Sequence, residues 1–570
     1  MIARGTEILP FATLFAIIAC VGVTAGPSPA QTAESTPKTI YYLHGRIYTN
    51  DPQHPWASAM GVAGGKIRCI GSIEHILLDC GGSQQGAETV QLKGSFVMPG
   101  FNDAHVHLGS AGADLLAVRL NGADSVEKVE KRVADAVAQH KEGEWIAGSG
   151  WDHTLWPDKK FPDKEQLDIV APRNPVLLTH ISGHVAVANS LALKLAGITT
   201  ETPNPSGGEI ERDADGEPTG ILKEGAAIQL VEMKIPEVSP EQRRKGILLA
   251  LADAAKNGVT SVQDYSDWDD FNVYRQILEE GKLTVRITEW LPFTMPLHDL
   301  VNMRSEGGTT DPWLKTGALK AFTDGAMGPR TAALLAPFSD DPSTSGMLIQ
   351  DPVKLRAMAI ERDRAGFQLA FHAIGDRANR VALDVFEEVA KANGPRDRRD
   401  RIEHAQLVAP GDFPRFASLK VIASMQPSHE TTDMRWTEDR IGPERAKGSY
   451  AWATMLKNGV RLAFGTDYDV EPINPMRGLY ACVTRELPDG GPKGGWQPQE
   501  KISLEDCIRA YTTGSTYAEF EEGKKGELKE GEYADFLILS NDLTKVPPSD
   551  YVKTRVLQTV VAGRTVYQEK

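Results

Sequence analysis

The sequence predicts an α/β protein: a (β/α)8 barrel, a small β module made from both chain ends, and a large insertion after the first barrel strand. Three observations predict it. Apolar strand-like runs alternate with helical stretches such as "NRVALDVFEEVAKANG" through the central chain. Eight such runs can be counted. Most of them place a His, Asp or Lys at or near the C-terminal end, the face on which such barrels carry their chemistry.

In chain order, residues 8–23, "ILPFATLFAIIACVGV", form an uncharged apolar run followed by a Pro/Ser/Thr-rich tail. This has the form of a secretory signal over residues 1–30, with cleavage after Ala30, and the run is short for a membrane-spanning helix. The tetrapeptide "IIAC" resembles a lipoprotein box, which would make Cys20 an acylated anchor. Export to a periplasmic or extracellular location is expected either way, with no spanning segment left in the mature chain. Residues 31–97 and 520–570 share a short-strand texture ("AMGVAGGKIRCIGS", "RVLQTVVAGRTVYQ") and are expected to pair into one module.

Residues 98–519 hold the barrel. Its strand candidates are "SFVMPGFNDAHVH" (95–107), "GVTSVQDY" (258–265), "TVRITEWL" (284–291) and "TGALKAFTDG" (316–325). "GFQLAFHAIGD" (366–376), "RIEHAQLV" (401–408), "KVIASMQPSH" (420–429) and "GVRLAFGTDYD" (459–469) complete the eight. Residues from about 110 to 242 fall outside this count and read as an insertion draped over the barrel mouth.

A chain of 570 residues with 41% hydrophobic and 24% charged content buries an ample core. Its formal net charge of −15, without a basic block, argues against nucleic acid, whose binding depends on neutralising phosphates. Of five cysteines, Cys69, Cys80, Cys482 and Cys507 survive signal removal; none forms a C-x-x-C pair, so a zinc–thiolate site is not expected. Free buried thiols are the favoured reading, with a Cys69–Cys80 bridge as the alternative in an oxidising compartment.

The histidines carry the strongest chemical signal. His105 and His107 form an H-x-H pair at the end of the first strand; positions i and i+2 share one strand face, so both imidazoles point the same way. His372 ends the fifth strand, His404 the sixth and Asp467 the eighth. A closed barrel brings these strand ends to one point, and imidazoles with a carboxylate suit Zn²⁺ or a similar divalent ion. Lys320, in the apolar fourth strand, is costly there as an unpaired cation.

Six segments, "PGFNDAHVHLGSAG", "KAFTDGAMGPRTAALLAPFSDD", "FHAIGDRANRVALDVFEEV", "RIEHAQ", "MQPSHETTD" and "FGTDYDVEPINP", together resemble the metal-dependent amidohydrolase superfamily. The likeness is to amidohydrolase family 3, the YtcJ-like and N-substituted formamide deformylase-like branch, from about Thr39 to Lys570. It implies a distorted (β/α)8 TIM barrel with a small β-sandwich from the chain ends, and hydrolysis of a non-peptide C–N bond at a centre of one or two metals. The implied ligands are His105, His107, Lys320, His372, His404 and Asp467, with Lys320 carboxylated by CO₂ to bridge two Zn²⁺ ions. Asp467 would take the proton of the attacking water and pass it to the departing amine.

Asp469 competes with Asp467 in "GTDYD", and Glu224 is the substitute bridge if Lys320 is unmodified. Candidate substrate contacts are Trp151, Asp152, His180, His184, Glu224, Asp324 and Arg330; local packing competes for His180, and pairing with Asp324 for Arg330. His429 and Gln426 are read as pocket lining, and His153 is unassigned. A small-molecule amide is the expected partner, and a homodimer is left open. The alternatives are a mononuclear deaminase of the same superfamily, with Glu403 beside His404 as its catalytic carboxyl, or a non-catalytic binding protein on this scaffold.

Overall fold

Eight parallel strands pair each with its sequence neighbour: Phe101–Val106, Val259–Asp264, Arg286–Pro292, Leu314–Phe322, Leu369–Ala373, Arg401–His404, Ile422–Met425 and Leu462–Phe464. The computed structural model describes residues 38–82, 87–120, 122–180, 185–205, 208–236 and 238–570. The expected signal and Cys20 lie outside them. Residues Thr39–Lys570 form one compact unit.

The eighth strand returns to the first. The Asp467 N–H donates to the His105 carbonyl at 2.8 Å, and Val106 bridges to Tyr468 in parallel sense. These bonds all but close the barrel, and the eight strands anticipated from the sequence are the eight observed. Strands such as Phe101–Val106 are buried along their whole length because helices cover the outer face while side chains fill the inner one. The covering helices start on sequence-encoded caps: Asp351 accepts from Val353 and Lys354 ahead of Pro352–Arg364, where proline takes the first helical position.

The barrel interior beneath the mouth is polar. Arg401, fully buried, donates to Gln263, to the Ala104 carbonyl at 2.9 Å, to Ser424 Oγ at 2.6 Å and to Glu403. A buried guanidinium is tolerated only when its donors are satisfied, and here four strands share them.

The insertion leaves through the helix Leu108–Leu116 and returns through Pro240–Lys256. These helices cross at Gly112 and Gly246, where a Cβ on Gly112 would lie 2.5 Å from the Gly246 carbonyl carbon. Between them stands a six-stranded sheet with an apolar core on either face, one around Trp151 and Leu178, the other around Leu177 and Leu222.

The terminal segments pair as expected: Phe96–Pro99 runs antiparallel to Phe536–Leu539, and all eight terminal strands belong to one sheet. The sheet curls so that the Ile67 N–H reaches the Glu532 carbonyl at 2.9 Å, enclosing Tyr42, Ile47 and Phe536. Where a sandwich was expected, the strands form this single rolled sheet. The cysteine reading needs correction. Cys69 and Cys80 are free thiols, but Cys482 and Cys507 are disulfide-bonded, joined by the packing of two helices that sequence spacing does not reveal. Among the described residues no helix is long and apolar enough to cross a membrane.

Candidate metal centre

The first strand delivers His105 from within the sheet and His107 from the position capping the next helix, with ring centroids 5.3 Å apart. Each has its Nδ1 engaged from behind. His105 Nδ1 lies 2.8 Å from Glu403 Oε2, and His107 Nδ1 lies 2.9 Å from the Tyr265 carbonyl. Both therefore present Nε2 to the mouth, the usual way a protein orients metal-binding imidazoles.

Asp467 sits in the middle. Its Oδ1 lies 3.1 Å from His107 Nε2 and 3.5 Å from His105 Nε2, while Oδ2 lies 3.7 Å from His429 Nε2. His404 has its Nδ1 2.9 Å from Gln426 Oε1, which leaves Nε2 facing inward. His372, 4.6 Å from His404 between ring centroids, has its Nδ1 3.2 Å from Asp324 Oδ1. Lys320 brings its Nζ to 2.8 Å from His105 Nε2, inside a wall of Tyr265, Trp290 and Phe322. His404 and Asp467 hold positive φ values of 72° and 58°, conformations that non-glycine residues adopt at a cost. The backbone bends there as the strands end, and both side chains point to the mouth.

The donor set fits a divalent cation. Ligand atoms of His105, His107 and Asp467 all lie within 4.8 Å of one another, as do those of His404, His429 and Asp467. Burial lowers the pKa of His105 to about 4, with the Lys320 ammonium adding to it, and burial followed by His372 holds His404 well below the usual imidazole range. Both are neutral at physiological pH, as metal ligation requires. Burial would raise Asp467, but the imidazoles of His105 and His107 outweigh it and hold the carboxyl well below its usual range. Burial lowers Lys320 to about 8, against the opposing pull of Glu403 and Asp467, so a neutral amine is accessible near physiological pH.

The six expected ligands thus converge, and Asp467 rather than Asp469 occupies the centre. The expected substrate contacts fare less well. Trp151 is fully buried in the core of the insertion, its Nε1–H donating to the Leu178 carbonyl, and offers no surface to a substrate. Asp324 is likewise buried. It accepts from the N–H groups of Ala333, Ile374 and Gly375 at 2.8, 3.0 and 2.8 Å, which fixes the chain on leaving the fifth strand. Arg330 pairs with Asp340 at 2.8 Å, a carboxylate shared with Arg440, and not with Asp324. Glu224 is exposed at a helix start with φ 65° and belongs to none of the donor clusters among the described residues. His184 lies outside the described residues. Asp152 and His180 gather with His153 into a separate cluster on the insertion, donor atoms within 4.8 Å.

Several positioning residues escaped the sequence reading. Asp103 accepts from Thr466 Oγ1 at 2.6 Å and from the His105 N–H at 3.2 Å, tying the first strand to the eighth. Asp264 accepts from the Leu108 N–H at 2.7 Å and fixes the turn after His107. Glu403 is spent on Arg401 and His105, which corrects its reading as a free catalytic carboxyl. The motif "NDAHVH" contains the Asp103 signal, since a carboxylate two residues before the metal-binding pair caps that strand end. A cavity of about 400 Å³ opens beside His107, lined by Tyr265, Ser266, Pro292 and the return helix at Gln242 and Arg243. A larger one, about 580 Å³, lies at the opposite barrel end among Lys315, Arg396 and Glu519, away from every donor above.

Comparison with known proteins agrees with the barrel fold. The profile described as "Amidohydrolase family" matches residues 88–567. Protein LONG AFTER FAR-RED 3 of Arabidopsis thaliana is 38% identical over 93% of this chain and 91% of its own length. The putative amidohydrolase YtcJ of Bacillus subtilis (strain 168) is 32% identical over 92% of this chain and 98% of its own. The crystal structure of an uncharacterized metal-dependent hydrolase from Pyrococcus horikoshii OT3 superposes with a TM-score of 0.73 at 31% identity, covering 90% of this chain and 99% of that one. With its barrel, its converging imidazoles and a match across nearly the whole described length, the chain belongs to the amidohydrolase family.

Proposed function

We propose that this hydrolase cleaves a non-peptide C–N bond of an amide or formamide-type small molecule, with two Zn²⁺ ions and a carboxylated Lys320, in an exported location. The observation that carries the reading is Lys320 Nζ standing 2.8 Å from His105 Nε2, beside the donor groups that His105, His107, His404 and Asp467 form. A lysine placed among cation ligands is repulsive as an ammonium and becomes an anionic ligand once its amine has taken up CO₂. His105, His107 and Asp467 would hold one cation, His372 and His404 the other, and the modified Lys320 would join them.

Bound cations supply Lewis acidity toward the carbonyl and an acidified water. The protein's own part is proton traffic and orientation. Asp467, held ionised by its imidazole neighbours, would take the proton of the attacking water as the C–O bond forms, and then deliver it to the nitrogen of the tetrahedral adduct, so that the carbonyl re-forms and the C–N bond breaks with the amine leaving neutral. Glu403 and Gln426 keep the imidazoles of His105 and His404 in register, and the cavity beside His107 would receive the amide.

The deaminase alternative loses its candidate acid, since both Glu403 oxygens are engaged by Arg401 and His105. Export is supported by the apolar run at residues 8–23 and by the Cys482–Cys507 disulfide, a bond that persists in oxidising compartments. The test is a panel of N-acyl and N-formyl compounds offered to zinc-loaded enzyme, with metal counted in the same preparation. Turnover of an amide at two metal equivalents supports the reading. Two bound metals without turnover of any C–N substrate would overturn the amidase assignment.

A further inference from the structure

We propose that His429, in the helix after the seventh strand, is a direct ligand of the metal centre, joining His404 and Asp467 in a three-donor pocket. This rests on reading the site as a metal centre, and it adds a ligand from a strand end that the sequence motifs left as pocket lining.

The distances decide between a cation and a hydrogen bond. His429 Nε2 is buried without a hydrogen-bond partner among the described residues, yet it stands only 3.7 Å from Asp467 Oδ2. That is too long for a hydrogen bond. Two donors on one tetrahedral cation, with bonds of about 2.0–2.1 Å, lie about 3.3 Å apart. The His105–Asp467 pair at 3.5 Å lies close to that value, and His429–Asp467 lies just beyond it. A buried imidazole nitrogen without a hydrogen-bond partner, this close to a buried carboxylate, fits a cation held between the two.

Orientation agrees. The two Asp467 oxygens face different ways, Oδ1 toward the first-strand pair and Oδ2 toward His429. The rings of His404 and His429 lie within 16° of parallel, with centroids 6.2 Å apart, and donor atoms of both fall within 4.8 Å of Asp467. One helical turn serves both residues. Gln426 caps the helix Pro427–Asp433 and braces His404 Nδ1, while the His429 N–H donates to the Gln426 carbonyl at 3.2 Å. A ligand placed at such a start is held by proline and cap rather than by a mobile loop.

The experiment compares full-length wild type with His429→Ala and His429→Gln, each loaded with Co²⁺. Metal content is read by mass spectrometry, coordination by the visible Co²⁺ absorption, and affinity by competition with a chelator. All readings use protein whose metal-free melting matches wild type; the glutamine variant keeps volume and polarity if alanine perturbs folding. Expected are two equivalents in wild type, loss of about one in His429→Ala, a changed Co²⁺ spectrum, and at least a tenfold weaker second site. Two equivalents with unchanged spectrum and chelator competition in both variants would overturn the assignment of His429 alone. A wild type that binds no metal would overturn this assignment together with the metal-centre reading.

Discussion

Replacing Glu403 by glutamine tests the frame that holds the centre. Burial alone would raise this carboxyl, but Arg401 and the His105 hydrogen bond overcome it and bring it from an ordinary 4.5 down to about 2. A group so lowered contributes about 3 kcal/mol to stability at neutral pH, by the linkage between protonation and folding. Breaking a buried pair and leaving Arg401 uncompensated independently predicts about 3–5 kcal/mol. At about 2.1 cal/mol/K per residue, unfolding of a unit this long carries roughly 1.1 kcal/mol/K, so the metal-free variant melts about 3 °C lower. The sign with pH is fixed. A lowered carboxyl stabilises above its unfolded pKa, and that contribution fades as pH falls from about 4.5 toward 2, so about half remains at pH 3. Calorimetry of both metal-free proteins at pH 7.5 and pH 3 reads it. Equal melting temperatures at neutral pH, or a gap that widens on acidification, would refute the reasoning.

Other consequences follow from the same geometry. Asp467→Asn keeps the shape but not the proton acceptor, and should lower kcat by about 10²–10⁴ while the protein remains folded, as steady-state kinetics beside circular dichroism would show. Lys320→Ala should reduce bound metal from two equivalents to one, counted by mass spectrometry; two equivalents in the variant would remove the bridging role. Gln426→Ala frees His404 Nδ1 and should weaken metal retention about 10–100-fold in chelator competition. Non-reducing peptide mapping should recover Cys482 joined to Cys507, with Cys69 and Cys80 alkylated as thiols.

Much of the barrel was legible because its signals are local. A buried parallel strand is a short apolar run, and strand ends carry polar residues where the chain turns out of the sheet. The H-x-H pair was legible for the same reason, since a period of two residues fixes the shared face of His105 and His107 within one strand. Residues whose meaning depends on a distant partner were not. Asp324 and Arg330 lie six residues apart and read as a pair, yet Asp324 turns inward to cap the fifth strand and Arg330 turns outward to Asp340. Trp151 beside Asp152 looked like a binding edge because exposure is not written in residue type.

What the sequence by itself determined is the list of parts: eight strand runs, a histidine pair, two further imidazoles, a carboxylate and a lysine, each at a strand end. Period and composition suffice for this because they act over a few residues. Only the tertiary structure decided which of these meet and what stands behind them. Closure of the first strand on the eighth sets Asp467 between His105 and His429, and the sixth strand supplies Glu403 to hold His105 from 298 residues away. Such contacts are set by how the whole sheet curls, and no local pattern encodes that.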